Sequence, residues 1–106
     1  MKTVLLDAAQ ADIRALRQYV SKIFGQTAWQ ETYAGIKAVV RNVAAFPLSG
    51  HIPPELADLG LSQYRQALSG MNRIIYEVQG DVLYVHVVCD TRKDLRALLT
   101  RRLLSR

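Results

Sequence analysis

Residues 64–90 read YRQALSGMNRIIYEVQGDVLYVHVVCD, two dense runs of β-branched and aromatic residues punctuated by short glycine-bearing breaks. Few arrangements other than an antiparallel meander accommodate such a pattern. Gly80-Asp81 separates the run 73–78 from the run 82–89, and glycine supplies the positive φ that a two-residue hairpin turn requires. Ser69-Gly70-Met71-Asn72 makes a similar break and joins an earlier strand, 64–68, to the first arm of that hairpin.

With Gly80-Asp81 as the turn, Gln79 faces Val82, Glu77 faces Tyr84, Ile75 faces His86 and Arg73 faces Val88. Strand side chains alternate between faces. One face therefore carries Ile74, Tyr76, Val78, Leu83, Val85, Val87 and Cys89, and this apolar surface needs a cover. The opposite face carries Arg73, Ile75, Glu77, Tyr84 and His86, with Arg65 added if Tyr64 and Leu68 point inward. It is expected to be an open, polar, partly basic concavity.

The cover is upstream. A short apolar run at 3–6 adds an edge strand, and Asp7 suits an N-cap. From there to Phe24 the apolar positions Ala9, Ile13, Leu16, Val20 and Ile23 keep helical spacing, and Gly25 ends the helix. Thr27 with Gln30 has the form of a capping box, opening a second helix with the stripe Trp29, Tyr33, Ile36, Val40 and Val43 that runs to about Ala45 and stops at Phe46-Pro47. Helices joined by so short a link are antiparallel neighbours, and their combined stripe matches the apolar sheet face. Residues 47–61, PLSGHIPPELADLGL, hold all three prolines and read as a surface loop with at most one helical turn at 54–59. After Asp90 and Thr91, which suit the cap of a last helix, Leu95, Leu98, Leu99 and Leu103 form a stripe with arginines on the remaining faces.

The expectation is a single α+β domain, 1–106: an N-terminal strand and antiparallel helical hairpin packed on a twisted antiparallel sheet, a three-stranded meander plus edge strand, followed by a basic C-terminal helix. The chain has 106 residues, enough for one core. Its one cysteine excludes an internal disulfide, and His51 has no second ligand at metal spacing, so no metal or cofactor is expected. Nothing approaches a membrane-spanning run, so a soluble, cytoplasmic protein without membrane partners is expected. The net charge of +5 is unevenly placed. Arg92, Lys93, Arg96, Arg101, Arg102 and Arg106 face Asp94 alone, so residues 92–106 carry all of it. A basic segment of this kind points to an acidic partner.

Taken together, Phe46-Pro47-Leu48-Ser49-Gly50 after the second helix, Tyr64-Arg65, the run Arg73-Ile74-Ile75-Tyr76-Glu77-Val78 before Gly80-Asp81, and Asp90-Thr91-Arg92-Lys93-Asp94 give the chain its likeness. It resembles the RelE/ParE superfamily of toxins from bacterial type II toxin–antitoxin modules, the plasmid stabilisation type. The resemblance implies growth arrest and a cognate antitoxin in a hetero-oligomeric complex, with Arg92, Lys93, Arg96, Arg101 and Arg102 the residues expected to meet that partner. It implies one of two targets, DNA gyrase in the ParE branch or ribosome-bound mRNA in the RelE branch, a metal-independent mRNA interferase. Under the nuclease reading Arg65, Arg73 and Arg92 match phosphate-binding positions, as suits the bidentate, permanent charge of arginine. From the strand register, Glu77 and His86 join Arg73 as candidate catalytic groups for proton transfer, with Tyr84 a hydrogen-bond donor. The second basic position of the nuclease pattern is Ala67 here, and its C-terminal aromatic or imidazole position falls near Leu98. These two residues tilt the expectation towards gyrase. A third reading is an inactive, antitoxin-binding component of a repressor complex.

Overall fold

The computed structural model describes residues 1–104. Strand β1 (Lys2–Leu5) leads into α1 (Asp7–Phe24) and α2 (Gln26–Ala45). A loop carrying the single turn α3 (Pro54–Ala57) follows, then β2 (Tyr64–Ser69), β3 (Asn72–Gln79), β4 (Val82–Asp90) and α4 (Leu95–Leu104). The strands form one sheet in the order β1-β4-β3-β2. The meander is antiparallel and β1 adds in parallel to β4, making the sheet mixed. Gly80 and Gly70 both have positive φ, as the two turns demand.

Local signals placed the helices well and their caps less well. Gly25, at φ 93°, closes α1 by donating its N–H to Ser21 O and serves directly as the residue before α2. Among the described residues no side chain caps α2, so the Thr27–Gln30 box does not form. Asp7 lies within the first turn of α1, not at its cap, where a negative charge still complements the helix dipole. At α4 the cap is Asp94, whose Oδ1 accepts the Ala97 N–H. Asp90 instead closes the turn before it, accepting from the Lys93 and Arg92 backbone.

The hairpin α1/α2 covers one sheet face, bringing Ala9, Ile36 and Val43 onto Ile74, Tyr76, Leu83, Val85 and Val88. Ile23 and Tyr33, placed in the buried stripes by spacing, stand exposed. The second face is not open. Leu56 of α3 and Leu95 and Leu99 of α4 lie over Tyr64, Ile75 and Val87, a second core of buried side chains. Burying each of those leucines contributes roughly 1.5–3 kcal/mol.

The reason is a β-bulge. The expected register holds from Gln79–Val82 through Tyr76–Val85, then slips, so that Ile75 pairs with Val87 and Arg73 with Cys89, not with His86 and Val88. Two residues of β4, His86 and Val87, oppose one of β3. Val87 and Cys89 move to the α4 side and Val88 takes their place under the hairpin. A face expected to be polar thereby gains the apolar floor on which the α4 leucine stripe sits. Arg106 and the side chain of Leu103 lie outside the described residues. Among the described residues no helix is long and apolar enough to cross a membrane.

Candidate functional site

Register decides which candidates meet. Arg65 pairs with Tyr76 and so lies on the hairpin face, where its Nη1 donates to Gly50 O at 2.7 Å. Arg73 lies on the α4 face, so the two arginines do not converge. Arg73 is 9% exposed and held on both sides: its Nε donates to Gln66 Oε1 at 2.8 Å and its Nη2 pairs with Glu55 from α3. A buried guanidinium survives only with such partners. Neither partner carries a sequence signal, since Gln66 is an ordinary strand residue and Glu55 sits in a proline-rich loop.

Glu77 and His86 do come together. Imidazole Nε2 and carboxylate Oε1 lie 2.9 Å apart, both side chains mostly buried, and the Tyr64 ring meets His86 edge-on at 5.1 Å. Tyr84, the cross-strand neighbour of Glu77, is half-buried beside them. Strand alternation from Tyr84 puts His86 on this side, as expected, and the bulge reassigns only the residues after it. A carboxylate–imidazole pair can hold and pass a proton, but this one is roofed by packed side chains.

Arg92 is separate from all of these. It is 80% exposed and clasps Asp90 through Nε and Nη2 at 2.8 and 3.0 Å. Those hydrogen bonds hold the Asp90 carboxyl down at about 2. Because the folded value lies below the unfolded one, the interaction contributes above the ordinary carboxylate range and is lost as pH falls through 2. A carboxyl NMR titration should give a midpoint near 2 for Asp90, rising only part of the way towards the usual aspartate range in Arg92→Ala, which removes the guanidinium but keeps the backbone N–H of residue 92 on Asp90. An ordinary midpoint in the parent chain would refute the clasp.

Of the other basic residues, Lys93, Arg96 and Arg101 are exposed. Arg102 is not available in the same way: its guanidinium binds Asp12 of α1 through both terminal nitrogens and donates to His86 O at 2.8 Å. Asp12 also accepts the Val88 N–H at 2.9 Å. Asp12 carries a signal that sequence reasoning passed over, an acid three residues after Ala9 and four before Leu16, inside the buried stripe. Cys89 is half-buried, and burial pushes its thiol up, away from the reactive thiolate. Between α1 and the start of α4 lies a groove of about 970 Å³, lined in part by Leu16, Val88 and Leu98.

Residues 4–95 match the family described as ParE toxin of type II toxin-antitoxin system, parDE. The chain belongs to the ParE toxin family. A chain in the solved structure of the chromosomal ParDE TA system from P. aeruginosa has a similar fold, with a TM-score of 0.70 and 14% sequence identity over 85% of this chain and 95% of that chain. Among curated proteins none matches significantly. The ParE match stops at the first residue of α4, so the helix that covers Ile75 and Val87 is almost wholly beyond the matched span.

Proposed function

We propose that this chain is the toxin of a type II pair that arrests growth by binding DNA gyrase without cutting nucleic acid, and that a cognate antitoxin holds it inactive in a cytoplasmic hetero-oligomer. The observation that carries this reading is the dispersal of the nuclease set. Arg65 lies on one face of the sheet, Arg73 is tied to Glu55 and Gln66 beneath α3, Glu77 and His86 bind each other, and Arg92 stands apart on Asp90. Metal-independent RNA cleavage needs phosphate ligands and proton-transfer groups around one accessible oxygen.

A second reading, the ribosome-dependent endoribonuclease, draws on Arg73, Glu77 and His86 sharing a sheet face; it requires that face to be uncovered. Purified chain added to gyrase should abolish plasmid supercoiling or trap cleaved DNA, while mRNA in cells induced for the chain stays intact by primer extension. Codon-positioned cuts with normal supercoiling would overturn the proposal in favour of the nuclease. Growth unaffected by induction without antitoxin would leave the inactive repressor-complex component as the surviving reading.

A further inference from the structure

Outside residues 92–106 the formal charges cancel over the chain as a whole, but not over its surface. The helical hairpin carries Arg14, Arg17 and Lys22 on α1 and Lys37 and Arg41 on α2, all exposed. Its carboxylates are Asp7, Asp12 and Glu31. Asp12 is turned towards α4 and occupied there by Arg102 and the Val88 N–H, while Asp7 lies in the first turn of α1 and Glu31 in the second turn of α2.

Helical spacing gathers four of the cations. Asp12, Ala15 and Tyr19 of α1 border the groove beside α4, and Arg14 and Arg17, one turn apart, stand on the other flank, where α2 packs. Ala38 and Asn42 of α2 border a hollow beside β2, and Lys37 and Arg41, again one turn apart, stand on the flank that faces α1. Counted out from the Gly25 turn, Arg14 comes level with Ile36, next to Lys37, so the two pairs flank one outer seam. None of the four forms an ion pair among the described residues, and like charges one turn apart destabilise a helix. A polyanion would neutralise such a patch.

The chemistry of the seam selects among polyanions. Three of the four cations are arginines, whose fork grips phosphate through two hydrogen bonds, and the exposed Ala34 and Ala38 are small enough to let a phosphate backbone come close. A protein interface is built around an apolar centre, whereas the exposed Tyr19, Ile23 and Phe24 lie on the α4 flank or at the hairpin tip. Tyr33, on the seam, is already stacked on Trp29 at 5.3 Å and capped by the Lys37 ammonium at 4.6 Å, which leaves its ring no free face for unpaired bases. A duplex, gripped by its phosphates alone, fits.

We propose that the outer seam of α1 and α2 binds the phosphate backbone of duplex DNA, without regard to sequence, through Arg14, Arg17, Lys37 and Arg41. The phosphate site stands on the placement of these side chains; the choice of DNA over RNA rests on the gyrase reading, which brings this chain to duplex DNA. The test titrates the purified full chain into a fluorescent DNA duplex of arbitrary sequence at several salt concentrations. The parent should bind with an affinity that falls steeply as salt rises. Arg14→Gln/Arg41→Gln should weaken binding at least tenfold at low salt, reduce the salt slope by about 2 and leave the melting temperature unchanged or raised. Arg17→Gln/Lys37→Gln should do the same from the other member of each pair. Lys93→Gln/Arg96→Gln, which removes two charges from the C-terminal basic segment, should cost less than either.

No binding by the parent overturns the proposal, as does parent-like affinity in both hairpin variants. An equal or larger loss in Lys93→Gln/Arg96→Gln puts the DNA on α4 and overturns it too. Tighter binding of an RNA duplex of the same sequence overturns the assignment to DNA, and hairpin variants that lose antitoxin affinity while keeping DNA affinity make the seam a protein interface. A chain that binds DNA through this seam yet leaves gyrase supercoiling untouched supports the inference and defeats the gyrase reading, so the two fail separately.

Discussion

Asp12→Ala is expected to lower the unfolding free energy by about 3–5 kcal/mol, the usual cost of leaving a largely buried charge without its counter-ion. Strand β1 ends at Leu5, opposite Val85, so among the described residues the outer edge of β4 beyond that point has no strand beside it. The bulge turns two backbone groups towards this bare edge, His86 C=O and Val88 N–H. Arg102 binds the first and Asp12 the second, while the two side chains pair with each other. They occupy the place of a missing rung, and they tie α1, β4 and α4 together at one point. Alanine at 12 strands both the Val88 N–H and the Arg102 guanidinium, whose side chains in the parent are 16% and 22% exposed for Asp12 and Arg102.

The size of that loss matters because domains of this class have only about 5–15 kcal/mol in all. Urea unfolding of Asp12→Ala, Arg102→Met and the double variant gives the coupling directly. The double variant should recover part of the loss, since no orphaned charge remains. Asp12→Asn should cost less than Asp12→Ala because it keeps an acceptor for Val88. A loss under about 1 kcal/mol for Asp12→Ala would mean that water replaces the clamp and that α4 is held by its leucines alone.

This clamp also marks where sequence reasoning stopped. The meander, its two glycine turns, the helical hairpin and the basic final helix were all legible from period and punctuation. The bulge was not, because β4 reads VLYVHVVCD: valine at 82, 85, 87 and 88 makes either parity apolar, so no residue announces the slip. One extra residue then reassigned Val87, Cys89 and Val88 between faces. Leu95, Leu98 and Leu99 of the α4 stripe were read correctly from spacing, but their seat was hidden because the face they cover looked polar. Arg73 and Arg65 were read as partners on one surface for a related reason: Tyr64 and Leu68 flank Arg65, and strand alternation alone does not say which side of a sheet receives which cover. Burial of Arg73 depends on Glu55 arriving from a loop, a contact 18 residues away in sequence that no local pattern encodes.

Gly50→Ala should be the other large effect, and it arises from close approach, since Gly50 is not among the glycines with positive φ. The Tyr76 ring is fully buried under the hairpin, and its hydroxyl reaches the loop after α2, donating to Pro47 O at 2.8 Å and accepting the Gly50 N–H at 3.0 Å. A methyl group on residue 50 would collide with that hydroxyl and lie 2.6 Å from Gln66 O, a backbone atom fixed in β2. Neither neighbour can swing aside, so the loop must lift and give up both hydrogen bonds. Overpacking of this kind costs about 1–3 kcal/mol, and each lost bond to a buried group adds about 1 kcal/mol, for a total of roughly 3–5 kcal/mol. Tyr76→Phe removes the bonds but not the Gln66 contact and should cost about 1–3 kcal/mol. Once the loop has lifted, the hydroxyl has nothing left to hold, so the double variant should lose markedly less than the sum of the two. Strictly additive losses in urea unfolding would show that the tyrosine and the glycine act on different parts of the loop, and that Arg65 on Gly50 O, not Tyr76, fastens it to the sheet.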